Sequence, residues 1–582
     1  MGKKKRVFNM FSYLKNYKFL AIFGPLCKGI EAATEVVVPL LMSLIIDVGI
    51  VNNDKSYIIS LSVVIIVLNI VAMVFAVLGQ KAAAITSEGM GKDIRNSMYS
   101  HINTFSHAEL DKYSTTSLLN RTIHDVDQLQ EGVATFLRTA MRIPFLLIGS
   151  LILAMIIDLK LSIIFAIVTP LLVLTVYLII RKIDPLLKEG KIKLDKTSNI
   201  TRENLNGIRV VRAFNKQDYE ISKFEKANYE LVNIELKEGY WSAILQPLIM
   251  MIINFSIVAL IYFGGIQINL GYLSQGNLIA FINYFGQIAA SLIATARLVT
   301  IFTRMNTASI RINDVFETKN SIINPSKPVK INYNNPNLGS IKFDHVFFSY
   351  NNLKNAINDL DININAGQTI GIIGGTGSGK SSVINLIPRF YDTTKGSVSV
   401  GGVNVKHYDI KELRSIISIV PQNPILFEGT IRSNMQWRNN NASEKEIIKA
   451  LKIAQAYDFV KEYPDFIDHK VNRGGMNFSG GQRQRLTIAR AIVSKPHILI
   501  LDDSTSALDF ATDAKLRKAI KTNLNDTTLI IVTQRTNSIK DADNIIVMDY
   551  GNIVGIGNHD YLLNNCDIYK EIHNSQNTKE GK

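Results

Sequence analysis

Apolar residues are crowded into the first 300 positions of the 582-residue chain, in runs of about the 20 residues a helix needs to cross a bilayer. Six such runs stand out, at 20–48, 58–80, 134–157, 161–180, 244–264 and 276–299. The connections between them alternate in character. Residues 49–57, 158–160 and 265–275 are short and carry few basic groups, whereas 81–133 and 181–243 are long, polar and rich in Lys and Arg. The bias of cytoplasmic loops toward positive charge puts the two long connections, both chain ends and everything after the sixth run in the cytoplasm. Within the long connections, apolar residues recur every three or four positions with few breakers, so the helices are expected to continue past the membrane as a stalk.

After position 300 the pattern changes. Residues 321–340 are rich in Asn and Pro without periodicity and read as a linker. From Ile341 short β-branched strands alternate with helical stretches, the pattern of an α/β fold with a largely parallel sheet over 341–576, and 577–582 reads as a solvated tail. The expected architecture is a polytopic α-helical membrane domain over 1–320, with six transmembrane helices, joined to an α/β domain.

The formal net charge of +15 does not call for a nucleic-acid partner, because the Lys and Arg gather beside the apolar runs. Cys27 and Cys566 are the only cysteines, too few for a disulfide framework or a metal-ligand spacing. The basic start Met1 to Arg6 leads into a run interrupted by Lys28, Glu31 and Glu35, with no small-residue cleavage site. It reads as a retained anchor rather than a signal peptide, and Arg6 stands where a myristoylation motif needs Ser or Thr. Lys28, Glu31 and Glu35 fall on one helical face. Two readings stay open: a cavity-lining site that favours cationic or amphipathic cargo, or a structural Lys28–Glu31 pair. Arg138, Arg142 and Arg297 are expected at span ends or facing a cavity.

The soluble half carries phosphate chemistry. Gly374-Gly375-Thr376-Gly377-Ser378-Gly379-Lys380-Ser381 satisfies the P-loop pattern between an expected strand, Thr369 to Ile373, and a helix expected from Ser382. Glycines let backbone N–H groups converge on phosphates, Lys380 neutralises the β- and γ-phosphates, and the Ser381 hydroxyl suits Mg2+. A second apolar strand, Ile498 to Leu501, ends in Asp502-Asp503, where the first carboxylate is suited to hold Mg2+ and the second to face the attacking water.

Asn477-Phe478-Ser479-Gly480-Gly481-Gln482 then matches the signature motif of the ABC transporter superfamily, with Phe in place of the usual Leu. The chain resembles the exporter branch over nearly its whole length. The resemblance implies that Tyr350 stacks on adenine, that Gln422 senses Mg2+ and the membrane domain, and that Ser506-Ala507-Leu508-Asp509 is the dimer-contact loop. It also implies that ATP is sandwiched between two domains, each site joining one P-loop to the other domain's Ser479, Gly480, Gly481 and Gln482, so that a second ABC half-transporter is required. The loosely matching Leu110-Asp111-Lys112-Tyr113-Ser114-Thr115, followed by Arg121, Asp125 and Asp127, resembles a first coupling segment. Gly207 to Phe214 is a closer match to a second, with Phe214 the residue expected to dock into a nucleotide-binding domain.

Besides Phe478, three positions depart from the family. Its catalytic Glu is Asp503 here, its switch-loop His is Gln534, and Arg473 stands where many relatives are acidic. Asp is one methylene short, and Gln can hydrogen-bond but carries no proton or charge. Both spare ATP binding and impair hydrolysis. Such chains resemble the degenerate-site subunit of heterodimeric exporters, whose partner supplies the intact Glu and His. The expected activity is ATP-driven, multidrug-type export of lipophilic compounds across a bacterial cell membrane. The alternatives are a homodimeric lipid or peptide exporter, or an ATP-binding regulatory module.

Overall fold

The computed structural model describes residues 10–350 and 354–577. The basic start Met1 to Arg6, the expected tail beyond Asn577 and the side chain of Arg297 lie outside the described residues. The chain divides into two units: Met1–Asn103 with Thr115–Thr318, and Thr104–Ser114 with Lys319–Lys582.

Among the described residues, the first unit has six helices long and apolar enough to cross a membrane. Leu159–Ala213 and Gln217–Asn269 have 55 and 53 residues, which at about 1.5 Å per residue is more than twice the ~30 Å of a hydrocarbon core. Three starts are fixed locally by side chains that accept otherwise orphaned backbone N–H groups. Asp54 takes those of Ser56 and Tyr57, Asp158 that of Leu161, and Ser274 that of Asn277. The first span closes in a π-helical turn, Ile45–Ile50, and the third is interrupted at Ala140 and Met141, between Val126–Thr139 and Arg142–Ile157. Phe165, Phe281, Tyr284 and Phe285 fill the centre of the bundle with Ala32 and Val36.

Lys28, Glu31, Glu35 and Arg142 pair with one another in this unit. Lys28 Nζ meets Glu31 at 2.6 Å, and Arg142, next to the interruption in the third span, reaches Glu35 at 2.9 Å and Glu31 at 3.6 Å. Arg138 sits on the other side of the interruption, in the last turn of its helix. Two cations and two carboxylates in one cluster cancel, as burial of ionic groups in apolar surroundings demands.

The second unit is built on a six-stranded sheet ordered Asn552–Gly557, Asn544–Asp549, Thr369–Gly374, Thr528–Val532, Ile498–Asp502 and Ile417–Val420. All neighbours are parallel except the first pair. Its central strands are runs of buried Ile, Leu and Val, as strands covered on both faces must be. A four-stranded antiparallel sheet, Ile357–Ile364, Ile341–Phe348, Lys395–Val400 and Val403–Asn404, packs beside it. Crossover topology places the carboxyl ends of Thr369–Gly374, Ile498–Asp502 and Thr528–Val532 side by side, where ligands bind in open parallel sheets.

Thr104–Ser114 belongs with this second unit. Its helix, His107–Lys112, opens with a capping box between Ser106 and Glu109, and Glu109 also accepts the Ser321 backbone N–H at 3.0 Å. The His107 ring stacks on Phe390 at 4.1 Å, and the Tyr391 hydroxyl donates to Asp111 at 2.5 Å.

Candidate functional site

The P-loop leaves Thr369–Gly374 through three glycines with positive φ: Gly374 at 158°, Gly377 at 80° and Gly379 at 98°. Two of them also permit close approach. A Cβ on Gly374 would stand 2.1 Å from the Met548 carbonyl, and one on Gly379 2.6 Å from that of Ala356. Between them Gly375, Thr376 and Gly377 are exposed, while Ser378 is buried beneath. The helix opens at Lys380, two residues earlier than the sequence pattern suggests, because Gly379 acts as its left-handed N-cap. Lys380 curls over the loop and donates to the Gly374 and Gly375 carbonyls at 2.9 and 2.6 Å and to Ser378 Oγ at 3.2 Å. Burial pushes the Lys380 ammonium pKa down against the pull of Asp503 and Asp502, so an anion placed here would relieve an under-solvated cation. Ser381 is exposed, and Ser382 is buried and hydrogen-bonded to the Tyr350 hydroxyl at 3.0 Å. Tyr350, half exposed, meets Phe348 and Tyr391 edge-on.

Asp502 closes its strand and Asp503 follows with φ 45°. The Asp503 N–H donates to Val532 O at 2.8 Å, and its carbonyl accepts the Ser506 hydroxyl at 2.8 Å, so its backbone is held from both sides. Burial raises the pKa of both carboxyls. The Asp503 charge raises that of Asp502 further, with Lys380 opposing, while Arg535, Lys380 and the Gln422 amide oppose the rise at Asp503. Gln422 Nε2 reaches Asp503 at 3.4 Å. Lys380, Asp502, Asp503 and Gln422 are therefore one interacting group. The hydroxyl of Ser381, next to Lys380, the Gln422 carboxamide and the Asp502 carboxylate are hard oxygen donors of the type Mg2+ takes, and two carboxyls pressed toward neutrality by burial fit a divalent cation.

Gln534 lies exposed after Thr528–Val532 and offers its backbone carbonyl to Gln576. Arg535, which the sequence pattern does not single out, donates to the Ser506 and Leu508 carbonyls at 2.9 and 3.4 Å and lies over Phe510. Asp509, exposed, caps Phe510–Asn523 by accepting the Thr512 N–H at 2.8 Å.

The signature segment starts the helix Gly480–Val493. Ser479 is its exposed N-cap in a capping box with Gln482, whose side-chain oxygen accepts the Ser479 N–H at 2.9 Å. Gly480 and Gly481 occupy the first turn, where free N–H groups and the helix dipole favour an anion. Phe478 is buried edge-on to Tyr463 and His469, so the exchange of Leu for Phe is absorbed by an aromatic cage. In the first unit Phe214 caps the end of Leu159–Ala213 and is 72% exposed between Arg212 and Lys216, an apolar ring held in water.

Comparison with known proteins agrees with this geometry. The family model described as ABC transporter transmembrane region matches residues 21–292, and the one described as ABC transporter matches 357–506. An uncharacterized ABC transporter ATP-binding protein of Mycobacterium tuberculosis is 35% identical, over 97% of each chain. YfiB of Bacillus subtilis, an ABC transporter ATP-binding protein, is 33% identical over 98% of each. A Staphylococcus aureus chain named for multidrug export, as an ATP-binding/permease protein, is 31% identical over 97% of this chain and 99% of its own. Among solved structures, a bacterial Atm1-family ABC exporter with ATP bound superposes with a TM-score of 0.79, covering 97% of this chain and 98% of that one at 21% identity. Membrane helices of exporter type, a P-loop, a strand ending in paired carboxylates and a signature helix in one polypeptide lead to one assignment: the chain belongs to the ABC transporter family, as an ATP-driven exporter half-transporter.

Proposed function

We propose that this chain is the subunit of a heterodimeric bacterial exporter whose own P-loop binds MgATP but turns it over slowly, while its signature helix completes the competent site on a non-identical partner. The observation that carries this reading is the fixed backbone of Asp503. With its N–H bonded to Val532 and its carbonyl to Ser506, a side chain one methylene short cannot be advanced by moving the chain. A misplacement of about 1 Å at a water-orienting group costs on the order of a hundredfold in rate. Gln534 can hold a γ-phosphate oxygen without carrying charge. Ser479 and Gly480 stay exposed, with Gly481 half-buried, at an intact helix start, ready for phosphate held by another subunit.

In this reading Tyr350 supports the adenine, Gly374 to Gly379 cradle the phosphates, Lys380 neutralises them, and Ser381, Gln422 and Asp502 hold Mg2+, which when bound supplies charge neutralisation between the phosphates. Asp509 lies on the dimer-contact loop. Phe214 docks into a nucleotide-binding domain and conveys its movement to the membrane helices. The cargo is lipophilic or amphipathic. A cavity of about 470 Å³ in the first unit, lined by Thr135, Thr139 and Gln246 and otherwise by apolar residues such as Ile293 and Ile301, has the size and lining of a small-molecule site.

The test compares steady-state ATPase rates of the purified complex at saturating nucleotide. Ser479→Ala should depress turnover at least tenfold, because it removes a phosphate contact from the hydrolysing site, whereas Asp503→Asn should cost less than about twofold. Equal losses, or robust turnover by this chain purified alone, would establish a symmetric homodimer instead. ATP binding without any cargo movement would establish the regulatory module.

A further inference from the structure

The C-terminal helix Asp567–Asn577 is tied to the loop that carries Gln534. Gln576 Nε2 donates to the Gln534 carbonyl at 2.6 Å, while its Oε1 accepts the Thr536 N–H at 3.0 Å and the Thr536 hydroxyl at 3.1 Å. One carboxamide thus uses both its donor and its acceptor on a two-residue span. The Thr536 hydroxyl also meets His573 Nδ1 at 3.1 Å, one turn earlier on the same helix. Thr536 is almost fully buried, and the helix is anchored by Tyr569, whose buried hydroxyl hydrogen-bonds His559 at 2.7 Å. On the opposite side the loop is held by Arg535, bonded to the Ser506 and Leu508 carbonyls. Gln534, two residues past the strand end at Val532, therefore has its backbone carbonyl held while the residue stays exposed.

We propose that Gln576 is a positioning residue for nucleotide turnover: the C-terminal helix is a clamp that sets where residue 534 stands against the γ-phosphate. It acts through the backbone of Gln534 and Thr536 and touches no nucleotide itself. The proposal rests on the reading of Asp503 and Gln534 as the γ-phosphate end of this chain's own site, and adds that the stance of the switch loop is imposed from the chain's far end.

The experiment uses the full-length chain in its assembled transporter, with Gln576→Ala, Gln576→Glu and Thr536→Val made in wild type and in a background carrying Asp503→Glu with Gln534→His. Hydrogen–deuterium exchange of peptides spanning 533–538, with MgATP bound, reports whether the loop is held. Gln576→Ala should speed exchange there about tenfold, the equivalent of one lost hydrogen bond. Gln576→Glu retains the acceptor for Thr536, so it should protect that amide while the Gln534 end loosens. In the Asp503→Glu, Gln534→His background Gln576→Ala should lower kcat about tenfold with KM for ATP changed less than twofold, and Gln576→Glu should recover part of the loss. Unchanged exchange in both Gln576→Ala and Thr536→Val would overturn the clamp. Faster exchange with unchanged kcat would reduce the helix to a cover and overturn the positioning role. If the double replacement itself brings no gain over wild type, the reading of Asp503 and Gln534 fails separately, and the kcat of Gln576→Ala in wild type then decides the clamp.

Discussion

The pair Lys28 and Glu31 can be resolved into structural or cargo-binding roles by a double-mutant cycle. Both residues are about nine-tenths buried, their charged atoms are 2.6 Å apart, and Arg142 approaches the same carboxylate at 3.6 Å while bonding Glu35 at 2.9 Å. Glu31→Gln leaves two cations facing one carboxylate in a low-dielectric bundle, and breaking a buried pair from one side costs about 3–5 kcal/mol. At roughly 2–4 °C per kcal/mol for a large domain, the melting midpoint should fall by about 10 °C. Lys28→Met alone leaves Glu31 with Arg142 and should cost less. Lys28→Met combined with Glu31→Leu removes both ions, leaves Arg142 with Glu35, and should return most of the stability, giving a coupling energy of about 2 kcal/mol or more. The assay is thermal unfolding of the purified transporter in nanodiscs, followed by tryptophan fluorescence, with cargo-stimulated ATPase measured on the same samples. Single variants that keep the wild-type midpoint while the double variant loses cargo stimulation would refute the structural account and put these charges in the transport path.

Two further outcomes follow from single contacts. Phe214→Ala should leave the midpoint within about 2 °C, since an exposed ring contributes little to packing, yet reduce transport per ATP hydrolysed in proteoliposomes; an unchanged ratio would remove Phe214 from coupling. Glu109→Ala should loosen Thr104–Ser114 by about 1–2 kcal/mol, seen as faster proteolysis or exchange there, because the capping box and the Ser321 contact are lost together. Burial works to raise the Glu109 pKa, but hydrogen bonds from Ser106 and Ser321 hold it below the usual carboxylate range. Its contribution is thus present above the unfolded value of about 4.3 and lost as pH falls through the lower folded value, so the wild-type segment should release only on the acid side of that unfolded value.

The existence of the six spans is legible because each holds a predominantly apolar run, and the α/β unit because β-branched strands alternate with helical periods. Helix ends are another matter. Leu159–Ala213 continues through Arg181, Lys182 and Lys188 with no change of backbone state, since leaving the bilayer alters the solvent around a helix without ending it. Only local chemistry marks a boundary, as at Asp158 and Ser274, whose side chains cap the helices that follow. The Ser106 and Glu109 box signals a helix start, but nothing in its spacing reveals that Phe390, Tyr391 and Ser321 receive it. Gln576 is equally silent. A carboxamide 42 positions from its partner carbonyl has no motif, because tertiary packing and not phosphate geometry sets the distance.

Structure gives each departure from the family pattern its physical surroundings. Phe478 points into the cage of Tyr463 and His469, where a volume change is met by repacking and touches no phosphate. Arg473 is exposed on the short turn before the signature, free to meet a charge on another surface. Asp503 and Gln534 lie at neighbouring strand ends, joined by the parallel pairing of Ile498–Asp502 with Thr528–Val532 and by the bond from Asp503 N–H to Val532 O. In the proposed reading both act on the same few ångströms around a γ-phosphate. Either change alone would leave one group able to orient or accept a proton from water. In the proposed reading the two together leave a shortened carboxylate and an uncharged amide, a combination that would keep nucleotide in place and slow its cleavage.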